Sequence, residues 1–193
     1  MRRRTFDALL ATSGLIVAAV LVAAGGLLTW AHTFVSDQVT TQLSAQQIYF
    51  PPKGEATADP KIGPYINKYA GQQLTTGAQA RAYADHFIAV HIEEMTGGQT
   101  YAQLSAKSMA NPDDQKLAGM VATVFKGETL RGLLLNSYAF WQMGQIAFYG
   151  AIAAFAGAAL MLVLSLLGFA HLRRVPATKE VLVGGRGVSP AEA

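Results

Sequence analysis

The side chains best suited to chemistry lie together in the stretch "ADHFIAVHIEEM", residues 84–95. It contains two imidazoles and three carboxylates, at Asp85, His86, His91, Glu93 and Glu94. Imidazole and carboxylate groups are common metal ligands and common general acids or bases. The stretch therefore raises the question of a metal or acid–base site, and the geometry of the helix that carries it gives the answer.

Helical geometry argues against a metal site. At about 100° per residue, His86 and His91 lie about 140° apart and cannot share an ion. His91 falls in the middle of the apolar arc, which predicts a buried histidine. His86 is expected on a solvated face, beside Gln79 and Glu93. Only His91 and Glu94 are spaced to chelate together, and two ligands do not complete a zinc site.

Elsewhere the sequence predicts no catalytic, cofactor-binding or metal-ligating residue. Arg81 and Asp85 have the spacing of an ordinary surface ion pair. No serine has a recognisable nucleophile elbow, and the pair Asp113 and Asp114 is explained by helix capping. His91 and Glu94 therefore remain the one candidate polar site, and we expect no cofactor.

Two uncharged stretches dominate the rest of the chain. No charged side chain occurs between Asp7 and Asp37, or between Arg131 and Arg173. Each stretch exceeds the roughly 20 residues that a helix needs to cross a bilayer. A charge at the centre of such a helix costs about 3 kcal/mol. We predict transmembrane helices at 9–30 and 146–169.

The distribution of charge predicts the topology. Basic residues precede the first span at 2–4 and follow the second at Arg173, Arg174, Lys179 and Arg186. Positive charge beside a span favours the cytoplasmic side, so both termini, 1–8 and 170–193, are expected in the cytoplasm. We expect the plasma membrane as the location, a largely disordered C-terminal tail, and an extracytoplasmic segment at 31–145.

Two further features bear on this topology. Trp30 and Trp141 fall at the same predicted outer boundary, where amphipathic rings favour the interface. The apolar run of the first span is longer than the 7–15 residues typical of a signal peptide, so we expect a retained anchor. The net charge of +3 comes from the membrane-flanking residues and does not indicate a nucleic-acid partner.

The extracytoplasmic segment has helical signals throughout. The first span is expected to continue as a helix to about Gln47, before a Pro-rich loop at 49–65 that should lack regular structure. Two capping boxes follow, at Thr76–Gln79 and Thr100–Gln103. Further expected signals are a helix end at Gly97–Gly98, a cap at Asn111 with first-turn Pro112, and a stop at Gly127. No stretch alternates with period two, so no sheet is expected.

These elements define the expected fold. The protein is predicted to be an all-α membrane protein in which two transmembrane helices flank a small extracytoplasmic helical bundle. Small residues recur at three- and four-residue spacing in both spans, which marks faces for close helix packing. They are Ala11, Gly14, Ala18 and Gly25 in the first span, and Gly150, Ala153, Ala154, Gly157, Ala158 and Met161 in the second.

Those small residues have two interpretations. The two stripes pack against each other, or they dock on the helices of a partner. The candidate partner contacts are Gly150, Ala154, Gly157 and Ala158, together with Pro51 and Pro52 of the Pro-rich loop. A plain linker is the alternative for that loop. The expected partners are the lipid bilayer and a larger membrane complex or a second copy of the chain.

The runs "YAGQQLTTGAQARAYADHFIAVHIEEM" and "NPDDQKLAGMVATVFKGETLRGLLLNSYAFWQMGQIAFYG" resemble a family of uncharacterised two-span membrane proteins of actinobacteria. The resemblance covers about residues 49–174 and implies no activity or site residues. Some members of that family carry the label of aromatic ring-opening dioxygenase. Such enzymes need an iron site of two histidines and a carboxylate, and the histidine geometry above gives no support for one.

Three hypotheses about function remain. The first is a non-enzymatic accessory or scaffold subunit that presents a helical module to a larger membrane or envelope complex. The second is an extracytoplasmic small-ligand sensor or binding module that acts through a partner. The third, an enzyme, would need a site around His91 and Glu94, and we expect the protein not to be one.

Overall fold

The computed structural model describes residues 3–54, 57–174 and 176, and the elements within them are helical. The α-helices are α1 (Arg3–Ala45), α2 (Gly63–Ile66), α3 (Gly77–Tyr83), α4 (Ala89–Thr96), α5 (Tyr101–Ala110) and α6 (Gln115–Leu172). A 3₁₀ turn at Asn67–Tyr69 follows α2, and a π-helical turn at Ala84–Ile88 joins α3 to α4. No β-strand occurs among the described residues, which confirms the expected all-α class.

The chain divides into two compact units. The paired-helix unit comprises Met1–Trp30 and Ala147–Ala193, and the helical module comprises Ala31–Ile146. Helix α1 contributes residues to both units, and so does α6. The predicted helix that continues beyond residue 30 is confirmed, because α1 runs without a break from Arg3 to Ala45. Gln47, with a φ of 53°, turns the chain away just beyond that end.

Within the paired-helix unit, glycines allow the two helices to approach closely. A Cβ added at Gly14 would lie 2.2 Å from Ser165 Oγ, and one at Gly25 would lie 2.9 Å from the Phe155 ring. Contacts at Gly157 and Gly150, to Leu21 and Leu28, continue the same interface. Small residues thus permit the backbone proximity that stabilises helix pairs.

Both long helices are apolar enough to cross a membrane. Their most apolar 18-residue windows have mean hydropathies of 2.3 in α1 and 2.4 in α6. Only 22% and 17% of those windows are buried within the structure. The interface between the two helices therefore covers a small part of their apolar surface.

The helical module has one main hydrophobic cluster and one smaller cluster. The main cluster comprises Val39, Leu43, Phe50, Ile62, Ile66, Leu74, Ala80, Ala84, Val90 and Leu134. Its members come from α1, α2, α3, the π-helical turn, α4 and α6, and from the connecting segments at Phe50, Ile62 and Leu74. The smaller cluster, Ile92, Leu104 and Val124, joins α4, α5 and α6. Full burial stabilises each large side chain by about 1.5–3 kcal/mol, so the main cluster provides most of the module's cohesion.

Local capping fixes the limits of the short helices. Both predicted capping boxes are confirmed, since Thr76 and Thr100 each accept from the backbone N–H three residues on, and the glutamines reciprocate. The predicted stop after α4 is also confirmed. Gly97 and Gly98 have φ values of 61° and 80°, in the left-handed region that glycine tolerates best.

Two predicted helix signals are wrong. Asn111 does not begin α6; it ends α5, and its side chain donates to the Lys107 carbonyl oxygen. Asp114 is the cap, because its carboxylate accepts a 2.9 Å bond from the Leu117 N–H. Gly127 does not stop the helix, since α6 runs unbroken for 58 residues. A Cβ at Gly127 would lie 2.9 Å from Ile92 Cδ1, so this glycine allows close helix packing.

The Pro-rich loop has more structure than predicted. Helix α2 begins inside it at Gly63, with Pro64 in the first turn, where proline's fixed φ suits a helix start. At its other end Tyr49 forms an isolated antiparallel bridge with Gln73. Residues 55 and 56 lie outside the described part. The prediction of a wholly irregular 49–65 is therefore wrong at 63–65, where α2 begins.

Candidate functional site

His91 and Glu94, the predicted polar pair, are both exposed on α4. His91 Nδ1 donates to the carbonyl oxygen of Phe87 at 2.7 Å, and the two rings lie 4.5 Å apart. The predicted burial of His91 is wrong. No group of three or more potential metal ligands occurs among the residues that the structure describes.

The π-helical turn explains the wrong prediction for His91. A π turn bonds five residues apart and holds more residues than an α turn. All residues after it are therefore rotated relative to a wheel drawn at about 100° per residue. Four of the buried positions, Ala80, Ala84, Ile92 and Thr96, recur at intervals of four or eight residues, a spacing that a wider turn accommodates; Gln79 and Val90 are buried as well. The same rotation turns His91 outward.

His86 also departs from the prediction of a solvated face. Its ring is partly buried and stacks on Tyr65, with centroids 3.5 Å apart and planes 2° apart. Gln79 is buried, and its Oε1 accepts hydrogen bonds from the backbone N–H groups of Thr75 and Thr76. Glu93 alone is solvated as expected, and it pairs with Lys61 at 3.2 Å. The expected polar face is therefore a packed surface at two of its three positions.

The predicted partner contacts lie in two different environments. Ala154 and Ala158 are buried, and Gly150 and Gly157 are partly buried against Leu28 and Leu21. Packing within the paired-helix unit accounts for this stripe. Pro51 is partly buried and Pro52 is exposed.

A pocket in the helical module brings together the groups with the most recognisable binding chemistry. We call it the aromatic–basic pocket; its volume is about 340 Å³. It is lined by Tyr65, Lys68, Tyr69, Ala78, Arg81, Ala82, His86, Tyr138 and Trp141. Three of these side chains are basic, four are aromatic and none is acidic. Its walls come from the α2 segment, α3, the π-helical turn and α6.

Arg81 is held in place by three contacts. Its Nη1 donates to the Tyr138 hydroxyl at 2.9 Å, and its guanidinium carbon lies 5.0 Å from the centre of the same ring. Its Nε lies 3.7 Å from the Asp85 carboxylate, which confirms the predicted ion pair. Guanidinium has five N–H donors, so these contacts leave Nη2 available. A preorganised guanidinium loses little freedom on binding an anion.

The neighbouring charges leave the pocket positive. Asp85 is the nearest carboxylate, and it also accepts from Arg131 Nη2 at 3.3 Å. Arg131 also pairs with Glu128 at 3.4 Å, so two carboxylates balance the two guanidinium groups, and Lys68 supplies the excess positive charge. Lys68 makes no ion pair with any residue that the structure describes, and it sits over the Tyr69 ring at 4.8 Å. The pocket therefore favours an anionic ligand.

Aromatic side chains also pack in the core next to the pocket. Tyr83 contacts Phe50 edge-on at 5.3 Å and Phe87 at 4.8 Å. Burial raises the pKa of the Tyr83 phenol above its ordinary value. The close approach of Gly77 to the Trp141 side chain fixes one wall of the pocket.

The spacing of residues in the sequence does not predict this pocket. Arg81 was predicted only as a surface charge, and Trp141 only as an interfacial anchor. A local signal did exist, because Tyr65, Lys68 and Tyr69 have helical spacing. The contribution of α6, more than fifty residues away in sequence, depends on the tertiary fold.

Comparison with known proteins adds nothing to this geometry: no protein-family model, no curated protein and no solved structure matches the chain significantly. The resemblance to an actinobacterial membrane family therefore stays a prediction.

Proposed function

We propose that the chain is an integral protein of the plasma membrane, with α1 and α6 each crossing the bilayer once. The support is the mostly unburied apolar surface of both helices. Large side chains such as Leu10, Leu27 and Leu167 are 65%, 67% and 61% exposed. Lipid is a solvent in which that exposure has no cost. Charge asymmetry supports a cytoplasmic location for both termini and an extracytoplasmic location for 31–145.

The absence of cysteine allows a clean test of this topology. Single-cysteine variants Lys126→Cys and Arg174→Cys report on the module and on the tail. A membrane-impermeant maleimide should label Lys126→Cys in intact cells, and Arg174→Cys only after permeabilisation. The opposite pattern would contradict the proposed orientation.

Within this topology, the best-supported function is that of a non-enzymatic accessory or scaffold subunit. The observation that carries it is exposed apolar surface on the α5–α6 pair of the module. Met109 is 75% exposed and Phe125 is 55% exposed, and the Phe125 ring contacts Tyr101, itself 38% exposed. Exposed apolar surface outside a membrane marks sites of protein interaction. The module would present this surface to a larger membrane complex or to a second copy.

Co-purification tests the subunit hypothesis. The tagged full-length protein is isolated from native membranes in mild detergent, and its stoichiometric partners are identified. Phe125→Ser should release the partner, whereas Tyr49→Ser, a control at an aromatic residue 57% exposed elsewhere, should retain it. Isolation of a single copy after crosslinking in cells would refute the hypothesis.

A second function, an extracytoplasmic small-ligand binding module that signals through a partner, is favoured by the aromatic–basic pocket. Its three basic side chains and four aromatic rings offer charge and stacking surfaces to one ligand. A saturable rise in melting temperature with a small anion, lost in Arg81→Ala, would support this function. Lys126→Ala, an exposed charge outside the pocket, is the matched control.

A further inference from the structure

The aromatic–basic pocket lies near one end of the proposed second span. Two of its side chains, Tyr138 and Trp141, are on α6, and the span is predicted to begin at Ile146. At 1.5 Å per residue, Trp141 is about 8 Å and Tyr138 about 12 Å along the helix from that start. The headgroup layer extends roughly 5–8 Å beyond the hydrocarbon on each side. In the proposed topology, Trp141 and Tyr138 therefore lie at, or just outside, the level of the lipid headgroups.

The chemistry of the pocket matches a phosphate group at that level. Arginine presents a planar fork of donors that suits phosphate oxygens, and lysine adds a point charge. Tyr138 and Asp85 orient Arg81 through Nη1 and Nε, which leaves Nη2 for a ligand. Within the described part of the chain, Lys68 has no carboxylate partner. Trp141 and Tyr138 offer amphipathic rings of the kind that favours the membrane interface.

We propose that the aromatic–basic pocket binds the phosphate of an anionic phospholipid headgroup. Arg81 and Lys68 contact the phosphate oxygens, and Trp141 packs against the glycerol end of the lipid. The stacked Tyr65 and His86 rings also line the pocket. This proposal rests on the proposed membrane insertion, because insertion is what brings headgroups to the pocket.

Trp141 provides the measurement. The chain has two tryptophans, so in a Trp30→Phe background the fluorescence comes from the pocket alone. The full-length protein in detergent is titrated with short-chain phosphatidylglycerol, with short-chain phosphatidylcholine and with glycerol phosphate. We expect saturable binding of phosphatidylglycerol, with at least tenfold weaker binding of phosphatidylcholine and of glycerol phosphate.

Pocket variants identify the site. Each basic residue near a membrane surface contributes about 1 kcal/mol, so Lys68→Ala should weaken binding about fivefold. Arg81→Ala should weaken it further, and Arg81→Lys should recover only part of the loss because it lacks the fork. Lys126→Ala removes the same charge outside the pocket and should leave binding unchanged.

The outcomes separate the alternatives. Tight binding of glycerol phosphate, lost in Arg81→Ala, would keep a phosphate site but overturn the lipid as its source. No saturable binding, or equal weakening by Lys126→Ala and Lys68→Ala, would overturn the site itself. Alkaline extraction of native membranes tests insertion separately: release of the protein would refute insertion, whereas retention without binding would refute only the headgroup proposal.

Discussion

The contact between Gly77 and Trp141 makes a sharp prediction about stability. Gly77 is the first residue of α3, and an added Cβ would lie 2.3 Å from Trp141 Cβ and 2.5 Å from its Cγ. Both atoms are at the root of the tryptophan side chain. Rotation about χ1 cannot move the Cβ atom, so Gly77→Ala forces α3 and α6 apart.

The size of the effect follows from that distance. Ordinary contact begins at 3.4 Å, so the shortfall is about 1 Å. Overpacking of this kind costs about 1–3 kcal/mol, and the better helix propensity of alanine offsets at most about 1 kcal/mol. A chain of this length loses about 2–4 °C in melting temperature per kcal/mol. The net cost is therefore up to about 3 kcal/mol, and we expect Gly77→Ala to melt up to about 12 °C below the parent protein.

Thermal unfolding followed by circular dichroism, in one detergent, gives the measurement. Gly119→Ala and Gly132→Ala are the matched controls, since each lies on α6 with no atom within 4 Å of an added Cβ. These controls should melt at or above the parent temperature, because alanine reduces the freedom of the unfolded chain. The Trp141 emission should also shift in Gly77→Ala.

One result would refute this reasoning. If Gly77→Ala melts together with Gly119→Ala, and its tryptophan emission matches the parent, α3 does not press against α6 at this point. The position of Trp141 as a wall of the aromatic–basic pocket would then fail as well.

Three further predictions concern the helical module. Leu74→Ala should lower the free energy of unfolding by about 2–5 kcal/mol, because Leu74 is 0% exposed in the main cluster. Thr76→Ala should lower it by about 1 kcal/mol through loss of a cap, measurable by chemical denaturation. The raised pKa of Tyr83 stabilises the fold below about pH 10, and this contribution disappears as the pH rises through the folded-state pKa. Tyr83→Phe should therefore flatten the fall in melting temperature above pH 10.

Each of these three has its own control. Leu133→Ala, at a side chain 61% exposed, should change stability by less than a quarter as much as Leu74→Ala. Restoration of stability by Thr76→Ser would show that the hydroxyl cap is responsible, and its failure would contradict the capping argument. Tyr49→Phe, at an exposed tyrosine, should leave the alkaline slope unchanged; equal flattening by both tyrosine variants would rule out burial as the cause.

Local signals in the sequence predicted most of the short helices. The capping boxes at Thr76 and Thr100 succeeded because each depends on residues three positions apart. Asn111 and Gly127 failed for different physical reasons. Asn111 and Asp114 are both suitable N-cap residues for α6, and Asp114 is the one whose carboxylate accepts the hydrogen bond from the Leu117 N–H. A single glycine costs about 1 kcal/mol in a helix, too little to break one as long as α6.

The candidate site was less accessible to sequence reasoning. A helical wheel assumes a constant rotation per residue and therefore cannot represent the π-helical turn. For this reason it predicts the wrong face for His91. The aromatic–basic pocket joins Tyr65 and Arg81 to Tyr138, whose proximity depends on how α3 packs on α6. Sequence spacing shows which residues share a helix face, but it does not show which faces meet.

Because of the π-helical turn, the insertion or deletion of a single residue can change the rotation of α4 about the helix axis relative to α3. If one residue were deleted within Ala84–Ile88, the π-helical turn would become an α-helical turn, and α3 and α4 would form one continuous α-helix. The capping box before α3 and the left-handed glycines after α4 would be unchanged. His91 and everything beyond it would then rotate against Arg81 and everything before. Insertion and deletion at this turn are therefore a way to change which surface α4 presents while leaving both of the helix ends intact.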